Sequence, residues 1–269
     1  MLLSKILDTV LARTFIGSIL GRLSGVKWLH ERFFWRRDDH LNQFTGVFKT
    51  YEEARRAIPV HLRRGWDDNS VVAGTSFQPS LFASLFWLSR IIETDSQVLD
   101  FGGAYGQTCR ELAKRMDLPD GVEWHVVDLP AALHRGRQIA DTLGRSNLHF
   151  SEEIRDVGSC DIFLSRGCLQ YVNTPLLELI KELSVLPRHI LLDKIPLIDG
   201  GGFITLQSLQ VTASPYQIFN RDQFLEPLLV AGYEILDEWE VWELKCQIPF
   251  EPRRYLPQHT GLLLERSRI

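Results

Sequence analysis

Asp100, Gly102, Gly103 and Gly106 fall within one short run, Val98–Gly106 (VLDFGGAYG), and Asp128 follows in Val126–Pro130 (VVDLP). The first spacing is D-x-G-G-x-x-G. Glycines so placed let the backbone take turns that a Cβ resists and pass close to a ligand. A helix opening beyond them leaves free N–H groups in its first turn. The acid precedes every glycine, at the end of an apolar run. A carboxylate there repels phosphate, which argues against the G-x-G-x-x-G arrangement that seats a pyrophosphate over the turn. A cationic or zwitterionic ligand suits it better. Asp128 is placed to accept both hydroxyls of a ribose.

S-adenosylmethionine has an ammonium, a sulfonium and no phosphate, so it is the expected cofactor; an NAD-type dinucleotide is the competing reading. The glycines are expected to keep space for the ligand. Gly102→Val should then abolish cofactor binding and spare the cofactor-free fold.

These residues need elements to hold them. Short apolar runs at Gln97–Phe101, Glu123–Asp128, Asn147–Phe150, Asp161–Ser165 and His189–Asp193 read as strands. Helical stretches at Gln107–Arg115, Ala131–Thr142 and Pro175–Leu186 lie between them, and Ser76–Ile92 precedes them. Strands alternating with helices imply a parallel sheet covered on both faces. Tyr233–Trp242 and Gly261–Glu265 should pair as an antiparallel C-terminal hairpin. The uncharged stretch Gly200–Asn220 reads as a lid or substrate loop.

With these elements in place, the chain resembles the class I S-adenosylmethionine-dependent methyltransferases: VLDFGGAYG matches their first motif and VVDLP the acidic loop after their second strand. The DLP form is similar to small-molecule O-methyltransferases. A closer resemblance, over Gly46 to about Ala231, is to a family of bacterial methyltransferases associated with surface-polysaccharide gene sets. It is carried by GVFKTYEEA (Gly46–Ala54), CLQYV (Cys168–Val172), LLDKIPLID (Leu191–Asp199), FITLQ (Phe203–Gln207) and SPYQIFNRDQF (Ser214–Phe224). The resemblance implies a Rossmann-like α/β fold. It implies that Asp100 orients the methionine ammonium, that Gly102, Gly103 and Gly106 cradle the cofactor, and that Asp128 holds the ribose with Leu129 beside the adenine. Phe150 and Ser151 would line the adenine; Ser165 and Arg166 would stand at the cofactor–substrate boundary. Ala104 replaces a glycine common at that position; it is tolerable at negative φ, whereas a positive φ there would count against close approach of the cofactor.

Methyl transfer depends on positioning, and a hydroxyl that receives the methyl benefits from a base. Asp193 is the best-placed carboxylate, with Tyr171 a second candidate. Gln170, Lys194, Gln207 and Tyr216 are the substrate-side candidates. The expected reaction is O-methylation of a sugar, a polysaccharide precursor or a small hydroxylated metabolite. The alternatives are a nucleotide-dependent oxidoreductase or epimerase, and a non-catalytic scaffold of the same fold.

The 269 residues are 45% apolar and 24% charged, the composition of an ordinary globular protein. Cys109, Cys160, Cys168 and Cys246 form no C-x-x-C pair, so no metal site is expected and free thiols in a cytoplasmic setting are. Nothing points to nucleic acid. Residues 1–70 are expected to form an N-terminal helical segment, and 71–269 the cofactor-binding domain. Residues 2–20 read as one amphipathic helix. The first 37 residues hold seven Lys+Arg and two acids. This stripe could pack on the body, form a homodimer or touch the inner face of a membrane peripherally.

Overall fold

The computed structural model describes residues 14–22, 25–26, 30, 34–35, 43–67, 78–143, 146–209 and 211–267. Among the described residues, eleven strands follow in chain order: β1 (Gln43–Phe48), β2 (Gln97–Phe101), β3 (Glu123–Val127), β4 (Leu148–Ser151), β5 (Ile162–Arg166), β6 (His189–Ile195), β7 (Leu197–Ile198), β8 (Phe203–Ser208), β9 (Ala213–Asn220), β10 (Tyr233–Val241) and β11 (His259–Arg266). The chain divides into two compact units. One takes residues 1–72, 196–220 and 244–259, the other 73–195, 221–243 and 260–269. The expected split into 1–70 and 71–269 is therefore crossed twice by later segments that join the N-terminal part.

The larger unit is built on a seven-stranded sheet in the order β4-β3-β2-β5-β6-β11-β10. β2 pairs in parallel with β3 and β5, β3 with β4, and β5 with β6. β11 runs antiparallel to β6. The end of β11 meets the start of β10, Ser267 donating to the Gly232 carbonyl at 3.3 Å. The central strands read as unbroken apolar runs because both their faces are buried. One face carries Val98, Trp124, Val126, Ile162, Leu164 and Leu191. Against it lies the helix Ser80–Ile91, whose Leu81, Leu85 and Leu88 recur at helical spacing and are buried. The helices Gln107–Ala113 and Pro130–Leu143 complete that layer through Leu112 and Leu133.

The smaller unit holds a four-stranded sheet, β1-β8-β9-β7. The stretch expected to be a lid is instead an antiparallel pair, β8 with β9, flanked by β1. A strand also stands where an all-helical N-terminal segment was expected. Its core gathers Ala54, Ile58, Leu62, Ile204, Leu206 and Ala213, with Trp35, Phe48 and Tyr51 packed against it. Phe34 is buried. The expected 2–20 helix falls largely outside the described residues. What is described starts anew: Thr14 is extended (φ −115°, ψ 157°), and its hydroxyl accepts from Gly17 N–H, capping a helix over Phe15–Leu20. No helix among the described residues is long and apolar enough to cross a membrane.

Candidate cofactor and substrate site

β2 and β3 end side by side, and each delivers a carboxylate to the same rim. Asp100 is fully buried, and its Oδ2 accepts from Trp124 Nε1 at 3.1 Å. Burial drives its pKa up to about 7; the Trp124 hydrogen bond and Arg166 oppose the rise, and Asp128 adds to it. Asp128 follows β3. Its Oδ2 accepts from Ala104 N–H at 2.7 Å and its Oδ1 from Leu129 N–H at 2.7 Å. Burial raises this carboxyl too, against those two hydrogen bonds. Each Asp128 oxygen keeps a further lone pair for a ligand hydroxyl. Leu129 is exposed beside it.

The glycines answer to the protein, which corrects the expectation that they clear ligand space. A Cβ on Gly102 (φ +72°) would fall 2.3 Å from Cys168 Cβ and 2.4 Å from its Sγ. On Gly103 it would meet the Asp100 carboxylate at 2.5–2.8 Å, and on Gly106 (φ +70°) the Leu148 side chain at 2.9 Å. Ala104 sits at φ +52°, the sign that counts against close approach of a cofactor at this residue. That conformation costs a residue with a Cβ about 1–2 kcal/mol, and the bond from its N–H to Asp128 helps to hold it.

Several other expected roles change. Asp193, read as a base, is fully buried in an ion pair: its Oδ2 accepts from Arg166 Nη2 at 2.9 Å and Nε at 3.1 Å. Its Oδ1 faces Trp239 Nε1 at 3.4 Å. A carboxylate so paired, with none of its surface exposed, has no open approach for a substrate proton. Arg166 also donates to Ser84 Oγ at 3.2 Å, so it braces β5 against β6 and a helix. Ser165 is buried and donates to the Phe101 carbonyl at 3.0 Å, tying β5 to β2. The Phe150 ring packs where a Cβ on Gly136 would lie, 2.3 Å from that position. Ser151 lines a depression of about 490 Å³ with Arg137, Glu152, Glu153 and Asp156, just past the end of β4.

Lys194, one residue before the end of β6, is in an uncommon state. It is left-handed (φ +61°), a conformation of order 1–3 kcal/mol for such a residue and one that concentrates at functional sites. The register explains it: Leu192 faces Leu262 and Ile195 faces Thr260, so Asp193 and Lys194 together oppose Gly261 in a bulge. Lys194 Nζ donates to Gln78 Oε1. Gly167 lies alongside; a Cβ there would stand 3.3 Å from Lys194 Cδ and 3.7 Å from Gln170 Nε2. Gln170 is buried, while Tyr171 is partly exposed at the end of the same 3-10 turn, Leu169–Tyr171. Gln207 and Tyr216 belong to the smaller unit, buried in β8 and β9; Tyr216 Oη is 2.7 Å from His259 Nε2.

Trp124, Cys168, Gln78, Glu243 and Trp239 were not singled out from the sequence. Each acts through a distant partner, such as Ser80 N–H to Glu243 Oε1 at 2.9 Å across 163 positions, and no local motif signals such a contact.

No protein-family model and no curated protein matches the chain. Among solved structures, it is similar to a Listeria monocytogenes protein assigned as an S-adenosylmethionine-dependent methyltransferase. The identity is 12%, over 70% of this chain and 99% of that one, with a TM-score of 0.50. It is also similar to the 1,6-didemethyltoxoflavin-N1-methyltransferase of Burkholderia thailandensis: 15% identity, 81% and 84% coverage, TM-score 0.49. The larger unit's sheet is thus a Rossmann-like class I methyltransferase sheet, mostly parallel with an antiparallel C-terminal pair.

Proposed function

We propose that the protein is an S-adenosylmethionine-dependent methyltransferase that methylates oxygen on a sugar, a polysaccharide precursor or another small hydroxylated molecule. The observation that carries this reading is the pair of carboxylates at adjoining strand ends, the buried Asp100 and the half-buried Asp128, both raised by desolvation. Two acids held this way favour a ligand with positive charge and hydroxyl donors and disfavour a dinucleotide phosphate. The cofactor, when bound, supplies an electrophilic methyl group on sulfur. Asp100 would face its ammonium, Asp128 its ribose hydroxyls and Leu129 its adenine, with Ser151 beyond. The Asp193–Arg166 pair serves as a brace that fixes the end of β6, and the substrate lies toward Gln170, Tyr171 and Lys194. The glycan class rests on the resemblance to methyltransferases associated with polysaccharide gene sets.

Calorimetry with S-adenosylhomocysteine tests the reading. Asp128→Ala is expected to weaken binding by about 1.5–3 kcal/mol, the cost of removing a charged hydrogen-bond partner. Tight NADH binding with no heat from S-adenosylhomocysteine would replace this function with a dinucleotide-dependent one.

A further inference from the structure

Lys194 belongs to a polar nest that the fold leaves incompletely bonded. Gln170 is 3% exposed, yet its Oε1 has no hydrogen-bond partner among the described residues. Glu243 spends Oε1 on Ser80 N–H, and its buried Oε2 has none. Buried oxygens without partners are costly and call for a donor. Lys194 stands on the bulge, its stem and the Gln170 side chain both close to Gly167, its Nζ on Gln78 and within reach of the Glu243 charge.

We infer that Lys194 Nζ takes the proton of the hydroxyl that receives the methyl group, in a substrate whose other hydroxyls bond Gln170 Oε1 and Glu243 Oε2. This rests on the methyltransferase reading and names the substrate as a donor-rich polyhydroxylated molecule. The charged groups facing Lys194 are Arg166, Asp193 and Glu243. Burial, with Arg166 adding to it and Asp193 and Glu243 opposing it, lowers the Lys194 pKa to about 8. The neutral amine is therefore accessible near neutral pH, as a base requires. Glu243 is a poorer base: burial alone would raise its carboxyl, but the hydrogen bond from Ser80 N–H and the Lys194 charge hold it below the usual range. In the transfer, the substrate oxygen gives its proton to the Nζ lone pair and bonds the methyl carbon. The electron pair of the carbon–sulfur bond stays on sulfur. The positive charge passes to the Lys194 ammonium, which sheds the proton to solvent.

The test uses the full chain in three measurements. Competitive labelling with acetic anhydride, read by mass spectrometry, should show Lys194 half-reactive near pH 8, well below the other lysines. Calorimetry should show Lys194→Met and Lys194→Arg binding S-adenosylhomocysteine as the wild type does. With tritiated methyl donor and a mixture of hexoses and nucleoside-diphosphate hexoses, both variants should lose about 100-fold or more in rate, the span of a general base. Gln170→Leu should instead raise KM. A wild-type rate in Lys194→Arg, or Lys194 titrating with the surface lysines, overturns the assignment. Wild-type protein that binds S-adenosylhomocysteine but methylates none of these sugars overturns the substrate class. A wild type that binds no S-adenosylhomocysteine overturns the methyltransferase reading itself.

Discussion

Gly102→Ala is expected to destabilise the protein by about 2–5 kcal/mol before any ligand is considered. Two costs add. At φ +72° a side chain costs about 1–2 kcal/mol. The new Cβ would also lie 2.3 Å from Cys168 Cβ, an atom fixed to the backbone, and overpacking of that kind costs about 1–3 kcal/mol or more. The denaturation midpoint should fall at unchanged slope. A second substitution separates the costs. Cys168→Gly removes the clashing atoms and leaves the φ cost, so the double variant should recover about 1–3 kcal/mol relative to additivity. A stable Gly102→Ala protein with weakened S-adenosylhomocysteine binding would return the glycine to a ligand-clearing role.

That result would also mark what a sequence conveys about such a turn. The D-x-G-G-x-x-G spacing located the turn, its strand and its helix. It could not say that the missing Cβ faces Cys168, which lies on the loop after β5. The parallel strands were readable because burial on both faces makes them apolar runs: β2 is found at Gln97–Phe101 as expected. β8 was not readable, because its polar residues look solvated. Thr205 is buried all the same, its hydroxyl bonding the Thr45 and Gly46 carbonyls at 3.1 and 2.8 Å. A buried polar group with partners resembles a loop residue until the partners are known. Asp193 poses the same difficulty. Its position at a strand end suggested chemistry, whereas Arg166, its neighbour in register on β5, commits it to an ion pair. Lys194 was placed on the substrate side, but its left-handed backbone depends on a bulge that only the pairing of β6 with β11 reveals.

Asp100 should make both stability and cofactor affinity depend on pH, in opposite senses. An unfolded chain loses the Asp100 proton near 3.8, and the folded one near 7 because burial disfavours the charge. Between these values the folded state holds a proton that the unfolded state has released, so folding weakens as pH rises. The contribution is intact below pH 4, is lost as pH climbs to about 7, and changes little above that. Its size across the window is roughly 4 kcal/mol. Asp100→Asn cannot ionise and can still accept from Trp124. It should match the wild type near pH 4 and exceed it in stability at pH 8 by up to that amount. A cationic ligand reverses the preference, since an ammonium beside Asp100 favours its charged form. S-adenosylhomocysteine should therefore bind more tightly as pH rises from 5 to 7, by up to about tenfold per pH unit, with proton release on binding. In Asp100→Asn both the slope and the proton release should vanish and affinity should fall. Calorimetry in two buffers of different ionisation enthalpy counts those protons. Binding with no proton release below pH 7 and no change in slope in the variant would show that Asp100 meets no cation and is a structural acid beneath the turn.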